Sequence, residues 1–314
     1  MSEAPEGWSA VVGPDEGGRL DRWLAGRVPS LSRAASMRLI ESGRVVVNGK
    51  KARKADPVSP GDEVTVRGGL PEAEWSPAPD AAMPLRIVHE DADVVVVDKL
   101  AGVPAHPLGP DETGTVANAL VARYPEMAGV GYSGREPGLV HRLDTDTSGL
   151  LLCARSQAAW TALRDALRAG DIRKEYRALV GGDIASSGRI LLAIAPHRKD
   201  RKRVEVVPEE RRRRRPEARM AETRYEVLSR YGELTLLRVR AAPALRHQIR
   251  VHLAAVGHPI AGDTLYGGPP IEGLGRQFLH AETIAFVHPR TRKPIRVKSK
   301  LPEDLARALD KVRG

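Results

Sequence analysis

Cysteine, aromatic residues and long apolar runs are all scarce in this sequence of 314 residues. Cys153 is the only cysteine, so an intrachain disulfide is impossible and a thiolate-rich zinc site is excluded. Aromatic residues make up 4% of the chain, which argues against wide stacking platforms for single-stranded nucleic acid. Apolar runs such as residues 94–97 are far too short to cross a bilayer. With no signal-peptide pattern, we expect a protein of the reducing cytoplasm that does not enter a membrane.

Recognisable cofactor and metal motifs are also missing. The nine histidines show no H-E-x-x-H or comparable ligand spacing, and there is no Walker-type phosphate loop. Residues 129–134 fit G-x-G-x-x-G, but they do not directly follow a predicted strand, and Pro137 and Gly138 come just after them. We therefore interpret them as a loop and not as a dinucleotide site. We expect neither a cofactor nor a metal ion.

Basic charge is what the composition has in excess. Fifty Lys and Arg against 40 Asp and Glu leave a formal net charge of +10, which favours a polyanionic partner. The densest basic stretch is residues 198–219, with consecutive arginines at 211–215. Such a block is usually a flexible, solvated segment. It also fits an insertion that grips RNA through sequence-independent charge, and we favour that second interpretation.

Residues 17–67 are predicted to form a small α+β unit. Helical apolar spacing predicts a first helix, and Ser32 is the expected N-cap of a second helix that stops near Gly43. Strands are predicted at 45–47 and 63–66, the first followed by an Asn-Gly turn. Basic side chains decorate the unit, and on composition alone they fit a solvated face as well as an RNA-binding one. Those suited to phosphate contacts are Arg33, Arg38 and Arg44.

A linker and a larger domain are predicted to follow. Residues 68–84 are rich in Pro, Gly, Ala and acidic residues and lack a sustained apolar period, which is typical of a linker. In residues 85–305, strand-like and helix-like segments occur without regular βαβ alternation, so we predict an α+β fold with a mixed or mainly antiparallel sheet. The strand-like segments are 94–98, 176–180, 234–239 and 295–297, and the helix-like ones are 156–169 and 246–256.

The strongest local feature is the string H-R-L-D-T-D-T-S-G at residues 141–149, which lies between two apolar runs. Those flanks are expected to hold its polar groups near the core, where an isolated carboxylate is costly or shifts its pKa. Taken alone, the segment favours a structural ion pair of Asp144 with Arg142 over a catalytic carboxylate. The basic cluster at 246–253 and the Lys-Glu-Tyr at 174–176 are equally ambiguous alone.

Together and in this order, these pieces resemble the RluA family of RNA pseudouridine synthases over most of the chain. The string H-R-L-D-x-x-T-S-G is highly specific to that family. The N-terminal unit resembles the S-four RNA-binding domain shared with a small-subunit ribosomal protein. The matching segments are 19–21, 32–33, 43–49 and 61–62 for that domain, and 97–99, 102, 106–107, 141–149, 174–176, 247–253, 257–263, 266–267, 279–281 and 288–289 for the family.

The resemblance implies a cofactor-free isomerase that acts on RNA. It implies that Asp144 is the nucleophile, that Arg250 pairs with it, and that Tyr176 packs on the base near the proton lost from carbon 5. It also implies that Arg142 can fill the stack vacated by the target base. We expect Leu150 and Leu253 to be apolar pocket walls, and Arg33, Arg38 and Arg44 to contact RNA phosphates.

The chain departs from the family pattern at two places. Leu100 stands where proline is common, and residues 244–246 read Ala-Leu-Arg where Gly-Arg-Thr is common. Neither place touches the aspartate, but both leave the fine substrate preference open.

Two other functions remain open from the sequence. A glycoside-cleaving hydrolase could use Asp144 and Asp146, whose i, i+2 spacing can place both carboxylates on one face of an extended segment. A non-catalytic ribosome factor could use only the RNA-binding unit and the Arg-rich stretch. Within the RluA family, the architecture resembles bacterial enzymes that act on large-subunit rRNA. We therefore expect rRNA rather than tRNA as the partner, and a monomeric enzyme.

Overall fold

The computed structural model of the protein describes residues 7–28, 31, 33–53, 56–68, 70, 75–132, 134–242 and 244–313. Ser32, the expected helix cap, lies outside the described residues. In the N-terminal part, two short helices pack on a sheet with strand order β1-β6-β3-β4, and β2 pairs with β5 beside it. The elements are β1 (Gly7–Val11), β2 (Gly18–Arg19), α1 (Leu20–Arg27), α2 (Arg33–Glu41), β3 (Val45–Val47), β4 (Lys50–Lys51), β5 (Pro57–Val58) and β6 (Glu63–Arg67).

The small sheet begins ahead of the predicted boundary at residue 17, because β1 pairs with β6 along its whole length. The helices and strands expected after that point are confirmed. The predicted turn after β3 is also confirmed: Asn48 and Gly49 both have positive φ, 48° and 76°, as a two-residue hairpin turn of this sequence requires. Leu20 and Val64 are fully buried in a core that belongs to this unit alone.

Residues 75–84 contain no helix or strand, in keeping with a linker, but hydrogen bonds tie them to the larger domain. The Asn118 amide Nδ2 donates to the carbonyl of Ala78 at 2.8 Å. The Asp80 carboxylate accepts from the backbone N–H of Gly114 at 3.1 Å. The second half of the linker is therefore fixed in place.

Ten strands of the described chain form one large sheet with the order β12-β11-β13-β14-β10-β15-β9-β8-β7, and β16 also pairs with β15. Among these strands, β9 and β15 pair in parallel and the other neighbours pair in antiparallel fashion, so the predicted α+β class with a mixed, mainly antiparallel sheet is confirmed. The elements are β7 (Ile87–Glu90), β8 (Val94–Lys99), α3 (Val116–Arg123), β9 (Ser148–Ala154), α4 (Gln157–Ala169), β10 (Arg173–Gly181), β11 (Gly188–Pro196), β12 (Val204–Val207), α5 (Glu209–Arg212), β13 (Arg219–Tyr231), β14 (Leu234–Ala242), α6 (Gln248–Ala255), β15 (Leu279–Val287), β16 (Pro294–Lys298) and α7 (Glu303–Arg313).

Hydrophobic clusters cover both faces of the sheet at β9, whose seven residues are all buried. Alternate side chains point to opposite faces of a strand, so Leu151 lies in one cluster and Leu150 in the other. Leu305 and Leu309 of α7 belong to the same cluster as Leu151, so the large domain continues beyond the predicted end at residue 305. None of the described helices is long and apolar enough to span a membrane.

The Arg-rich stretch, residues 198–219, is folded and not the flexible segment that such a block usually forms. It contains the loop and second strand of a β-hairpin and then a short helix, and it is called the Arg-rich hairpin below. β11 and β12 pair on either side of a loop at residues 197–203, and α5 follows. Arg215 is buried and bonds to the carboxylates of Glu205 and Glu217 and to the carbonyl of Pro196. The interleaved acids offset the charge repulsion that would otherwise keep an arginine run extended.

Candidate active site

Asp144 lies in a turn just ahead of β9. The N–H of Thr147 donates to the Asp144 carbonyl at 3.0 Å and closes the turn. The chain then enters β9 through Gly149, which has a φ of +113°. A Cβ atom at this position would lie 2.3 Å from the carbonyl oxygen of Ala281 on β15. The glycine of the motif is therefore needed for the close approach of β9 and β15 that fixes the turn.

Two buried cationic side chains hold successive carbonyl groups of this turn. Lys99 Nζ donates to the carbonyl of Thr145 at 2.7 Å and also to those of Leu100 and Val103. Arg276 donates to the carbonyl of Asp146 at 2.9 Å. Such contacts preorganise a loop, because the backbone cannot shift without leaving buried donors unpaired.

Both of these basic side chains have further electrostatic partners. Burial lowers the pKa of Lys99 to about 7, against the opposing effect of the Asp146 and Asp144 carboxylates. Arg276 pairs with Asp304 of α7 through two hydrogen bonds of 2.6 and 3.1 Å. The turn that carries Asp144 is therefore connected to both β8 and α7.

The predicted pair of Asp144 and Arg250 is present. Arg250 Nη1 lies 3.2 Å from Asp144 Oδ2. The other edge of the same guanidinium donates to both oxygens of Asp263, at 2.6 and 2.9 Å. Burial disfavours the charge on Arg250, but the hydrogen bonds and charges of Asp263 and Asp144 outweigh it and raise the pKa of the arginine. Arg250 is thus a permanent cation that keeps Asp144 oriented.

Tyr176 is buried on β10 beside this pair, at a β-bulge relative to β15. Burial, and then the negative charge of Asp144, raise the pKa of Tyr176. The phenol is therefore protonated at neutral pH. Leu253 belongs to the same hydrophobic cluster as Tyr176, whereas Leu150 lies in the cluster on the other face of β9. The structure therefore does not bring Leu150 together with the other predicted site residues.

The remaining predicted contacts with RNA are at exposed positions, except for the half-buried Arg44. The Arg142 guanidinium donates to Glu136 at 3.0 Å and lies 3.4 Å from His106 Nε2. In the N-terminal unit, Arg33 pairs with the buried Asp21 at 2.8 Å. Arg38 donates to the Tyr132 carbonyl, and Arg44 donates to the carbonyls of Arg67 and Gly68.

Sequence reasoning missed several residues that build the site. Asp263 and Tyr266 lie in segments that match the family, but no role was predicted for either. The Arg250 guanidinium carbon lies 5.2 Å from the centre of the Tyr266 ring. His247 Nε2 lies 3.9 Å from Asp144 Oδ1. Of these residues, only Asp263 could have been predicted from charge, because a buried arginine that already pairs with Asp144 favours a second carboxylate beside it.

Among the described residues, one group has donor atoms close enough to hold a metal ion: Asp91, Asp93 and His288. His288 Nδ1 accepts from the backbone N–H groups of Arg290 and Thr291, at 3.2 and 3.0 Å. In the neutral ring the proton is then on Nε2, which lies 3.2 Å from Asp91. A metal would need the lone pair on Nε2, so the group fits a turn-stabilising hydrogen-bond network better than a metal site.

Known proteins resemble this chain over nearly its whole length. The profile described as RNA pseudouridylate synthase matches residues 93–255, and that of the S4 domain matches residues 18–64. The ribosomal large subunit pseudouridine synthase D of Xanthomonas campestris is 38% identical over 97% of this chain and 92% of its own length. An uncharacterized RNA pseudouridine synthase of Chloroflexus aurantiacus is 41% identical over 97% and 93%. The solved human RNA Pseudouridylate Synthase Domain Containing 4 shares the fold, with a TM-score of 0.55 at 24% identity, over 73% of this chain and 93% of that one.

Proposed function

The chain belongs to the RNA pseudouridylate synthase family, and on that premise we propose that it isomerises specific uridines of large-subunit rRNA with Asp144 as the nucleophile. The rRNA target is supported by similarity to enzymes named ribosomal large subunit pseudouridine synthase D, from Xanthomonas campestris and Yersinia pestis. An S4 domain ahead of the catalytic domain supports an RNA substrate as well.

One observation carries the assignment of Asp144. Arg250 donates hydrogen bonds to two carboxylates, and one of them, Asp263, is bound through both of its oxygens. The other is Asp144, of which the guanidinium holds only Oδ2. Within the described chain, Asp144 Oδ1 accepts no hydrogen bond from a side chain. An oriented carboxylate with one uncommitted oxygen is what nucleophilic catalysis requires.

The reaction itself needs little else from the protein. The bond between ribose C1′ and uracil N1 breaks, the base rotates, and C1′ bonds to C5. C5 then loses its proton and N1 gains one, so the product is an isomer of uridine. There is no net redox change or hydrolysis, so a carboxylate suffices as the nucleophile. The protonated Tyr176, buried beside Asp144, is suited to packing on the base while it turns. In this proposal Tyr176 also lies near the proton that leaves C5.

Access to the uridine requires that it leave its stack, at a cost of a few kcal/mol. Arg142 is exposed on the same loop, two residues before Asp144, and its planar guanidinium can occupy the vacated space. In the N-terminal unit, Arg33, Arg38 and Arg44 are proposed to contact phosphates of structured RNA, which positions the enzyme without reading sequence.

Mapping pseudouridines tests the proposal. Total RNA from cells with the gene deleted should lose one or a few pseudouridines, all in large-subunit rRNA, and wild-type protein should restore them. Asp144→Asn protein should restore none. Loss confined to tRNA would contradict the rRNA target, and restoration by Asp144→Asn would contradict the nucleophile. Release of free uracil by the wild type would instead support the hydrolase alternative.

A further inference from the structure

His247 has a backbone conformation that is uncommon for a residue with a side chain. It has a φ of +52° and a ψ of 14°, and it precedes the first residue of α6. Only two other described non-glycine residues, Asn48 and Arg292, have positive φ. For a residue with a Cβ, this region costs about 1 kcal/mol or more. The strain at His247 occurs beside the nucleophile, where it sets the position of the imidazole.

The imidazole lies between Asp144 and Tyr266. Its Nε2 is 3.9 Å from Asp144 Oδ1, the oxygen that Arg250 does not hold. Its Nδ1 is 3.0 Å from the Tyr266 hydroxyl, and the two rings meet edge to face with centres 5.8 Å apart. The His247 side chain is 11% exposed and that of Asp144 is 22% exposed, so neither is fully closed off from solvent.

The Tyr266 hydroxyl determines which nitrogen of His247 carries the proton. That hydroxyl contacts the N–H of Val204 at 3.0 Å, the carbonyl of Val204 at 3.3 Å and His247 Nδ1. A phenol has one proton to donate and two lone pairs to accept with. All three contacts are satisfied together only if the phenol donates to the carbonyl and accepts from both Val204 N–H and Nδ1–H.

His247 Nε2 is then a bare acceptor. Burial lowers the pKa of His247, against the opposing charge of Asp144, so the ring is neutral at physiological pH. Two lone-pair acceptors, Nε2 and Asp144 Oδ1, therefore stand 3.9 Å apart, too far for a hydrogen bond between them. One donor from a substrate can lie within hydrogen-bond distance of both.

We propose that His247 accepts a hydrogen bond from the ribose 2′-hydroxyl of the target uridine. This inference rests on the proposed function of Asp144. A uridine within an RNA chain has two donors, the 2′-hydroxyl and uracil N3–H. The base must turn during the reaction, so N3–H moves, whereas the 2′-hydroxyl stays next to C1′ throughout. An acceptor fixed by Tyr266 beside the nucleophile suits the donor that does not move. The same contact selects RNA over DNA.

His247→Asn is the variant that tests this contact. Asparagine adopts positive φ readily, so the backbone is preserved. Its amide reaches about as far as Nδ1, so it can bond to Tyr266, but it has no atom in place of Nε2. His89→Asn is the matched control, because His89 is in β7 and contacts Asp91.

The experiment is a double-mutant cycle in which one change is made in the protein and the other in the RNA substrate. Single-turnover rates are measured for wild type and His247→Asn on a synthetic rRNA fragment that contains the mapped uridine, as ribouridine or as 2′-deoxyuridine. We expect each single change to slow the reaction about tenfold, as loss of one hydrogen bond does, and both changes together to slow it no further. His89→Asn should retain the full penalty for the 2′-deoxy substrate.

Two outcomes overturn the inference without touching the proposed function. If the two penalties multiply, His247 does not contact the 2′-hydroxyl. If N3-methyluridine, and not 2′-deoxyuridine, shows non-additivity with His247→Asn, the donor is the base. Failure of wild type on the ribouridine substrate would instead contradict the proposed function.

A second variant guards against misfolding of His247→Asn, which a thermal melt would reveal. Tyr266→Phe keeps the imidazole and removes the hydroxyl that fixes its tautomer. In Tyr266→Phe the 2′-deoxy penalty should fall below that of wild type, and an unchanged penalty would count against the proposal.

Discussion

The turn that carries Asp144 and the Arg-rich hairpin both depend on arginines, but in opposite surroundings. At the turn, Arg250 and Arg276 are buried, and their hydrogen bonds are shielded from water. On the hairpin, Arg211, Arg213 and Arg214 are exposed, where salt screens their charge. Buried arginines fix geometry, and exposed ones can attract a polyanion from a distance. Substitution of the buried arginines should therefore affect mainly catalysis and stability. Substitution of the exposed arginines, or added salt, should affect mainly the affinity for RNA.

The largest expected effect is on the catalytic side. Asp144→Asn should lower the single-turnover rate about 10³-fold or more, because the amide cannot act as the nucleophile. Binding of RNA, measured by filter retention, should change little. Asp146→Asn is the matched control: Asp146 is exposed, and the turn uses its carbonyl. Equal loss of activity in both variants would favour a two-carboxylate mechanism.

Next in size is the stability supplied by the buried arginine. Arg250→Met should destabilise the fold by about 3–5 kcal/mol, because Asp263 is left as a buried charge without its partner. Arg142→Met, at an exposed ion pair with Glu136, should cost about 1 kcal/mol or less. Urea unfolding measures both. Similar decreases in the free energy of unfolding for the two variants would contradict the proposed difference between buried and exposed arginines.

Alkaline pH tests the burial of Tyr176. Its pKa is raised in the folded state, so the tyrosine contributes stability that is fully present below pH 10 and is lost as pH rises further, since the unfolded chain ionises first. The stability difference between wild type and Tyr176→Phe should therefore shift against wild type by about 1 kcal/mol per pH unit above pH 10. A constant difference between pH 9 and 11 would show that the phenol is solvated.

Substitutions in the Arg-rich hairpin should have the smallest effect on the reaction rate but a clear effect on the affinity for RNA. Replacing Arg211, Arg213 and Arg214 with alanine should reduce the slope of log K against log salt by about 0.7–0.9 for each RNA phosphate that is no longer neutralised. The single-turnover rate at saturating RNA should stay the same. Arg215→Ala is the counterpart, because Arg215 is buried among Glu205, Glu217 and Pro196. It should lower the melting temperature and leave the slope nearly unchanged.

The features that could be predicted from the sequence are those that depend on local patterns or on family motifs. These predicted the α+β class, the helix pair, the Asn-Gly turn, and the pairing of Asp144 with Arg250. Interactions between distant segments could not be predicted in the same way. The strand Gly7–Val11 has no strong local signal, and it is ordered by pairing with β6. The bond between Tyr266 and Val204 exists only once the hairpin has folded.

The charge pattern of the sequence was also misleading where the acidic partners of a basic residue lie outside the basic run. The run 211–215 looked uniformly solvated, yet Arg215 turns inward to acids on either side of it in the sequence. Leu150 was expected to be an apolar pocket wall, but strand alternation places Leu150 and Leu151 on opposite faces of β9, and Leu150 is in a different hydrophobic cluster from Tyr176. A single-residue offset along a strand exchanges the two faces, and no motif fixes that register.

The side chains that hold the Asp144 turn in place come from distant parts of the sequence. Lys99 precedes the turn, Arg250 and Arg276 follow it by more than a hundred residues, and Arg276 is itself held by Asp304 of α7. During synthesis, the turn emerges from the ribosome long before its last supports do. Because Arg276 and its partner Asp304 are among these supports, we expect the nascent chain to be catalytically inactive until α7 has emerged from the ribosome.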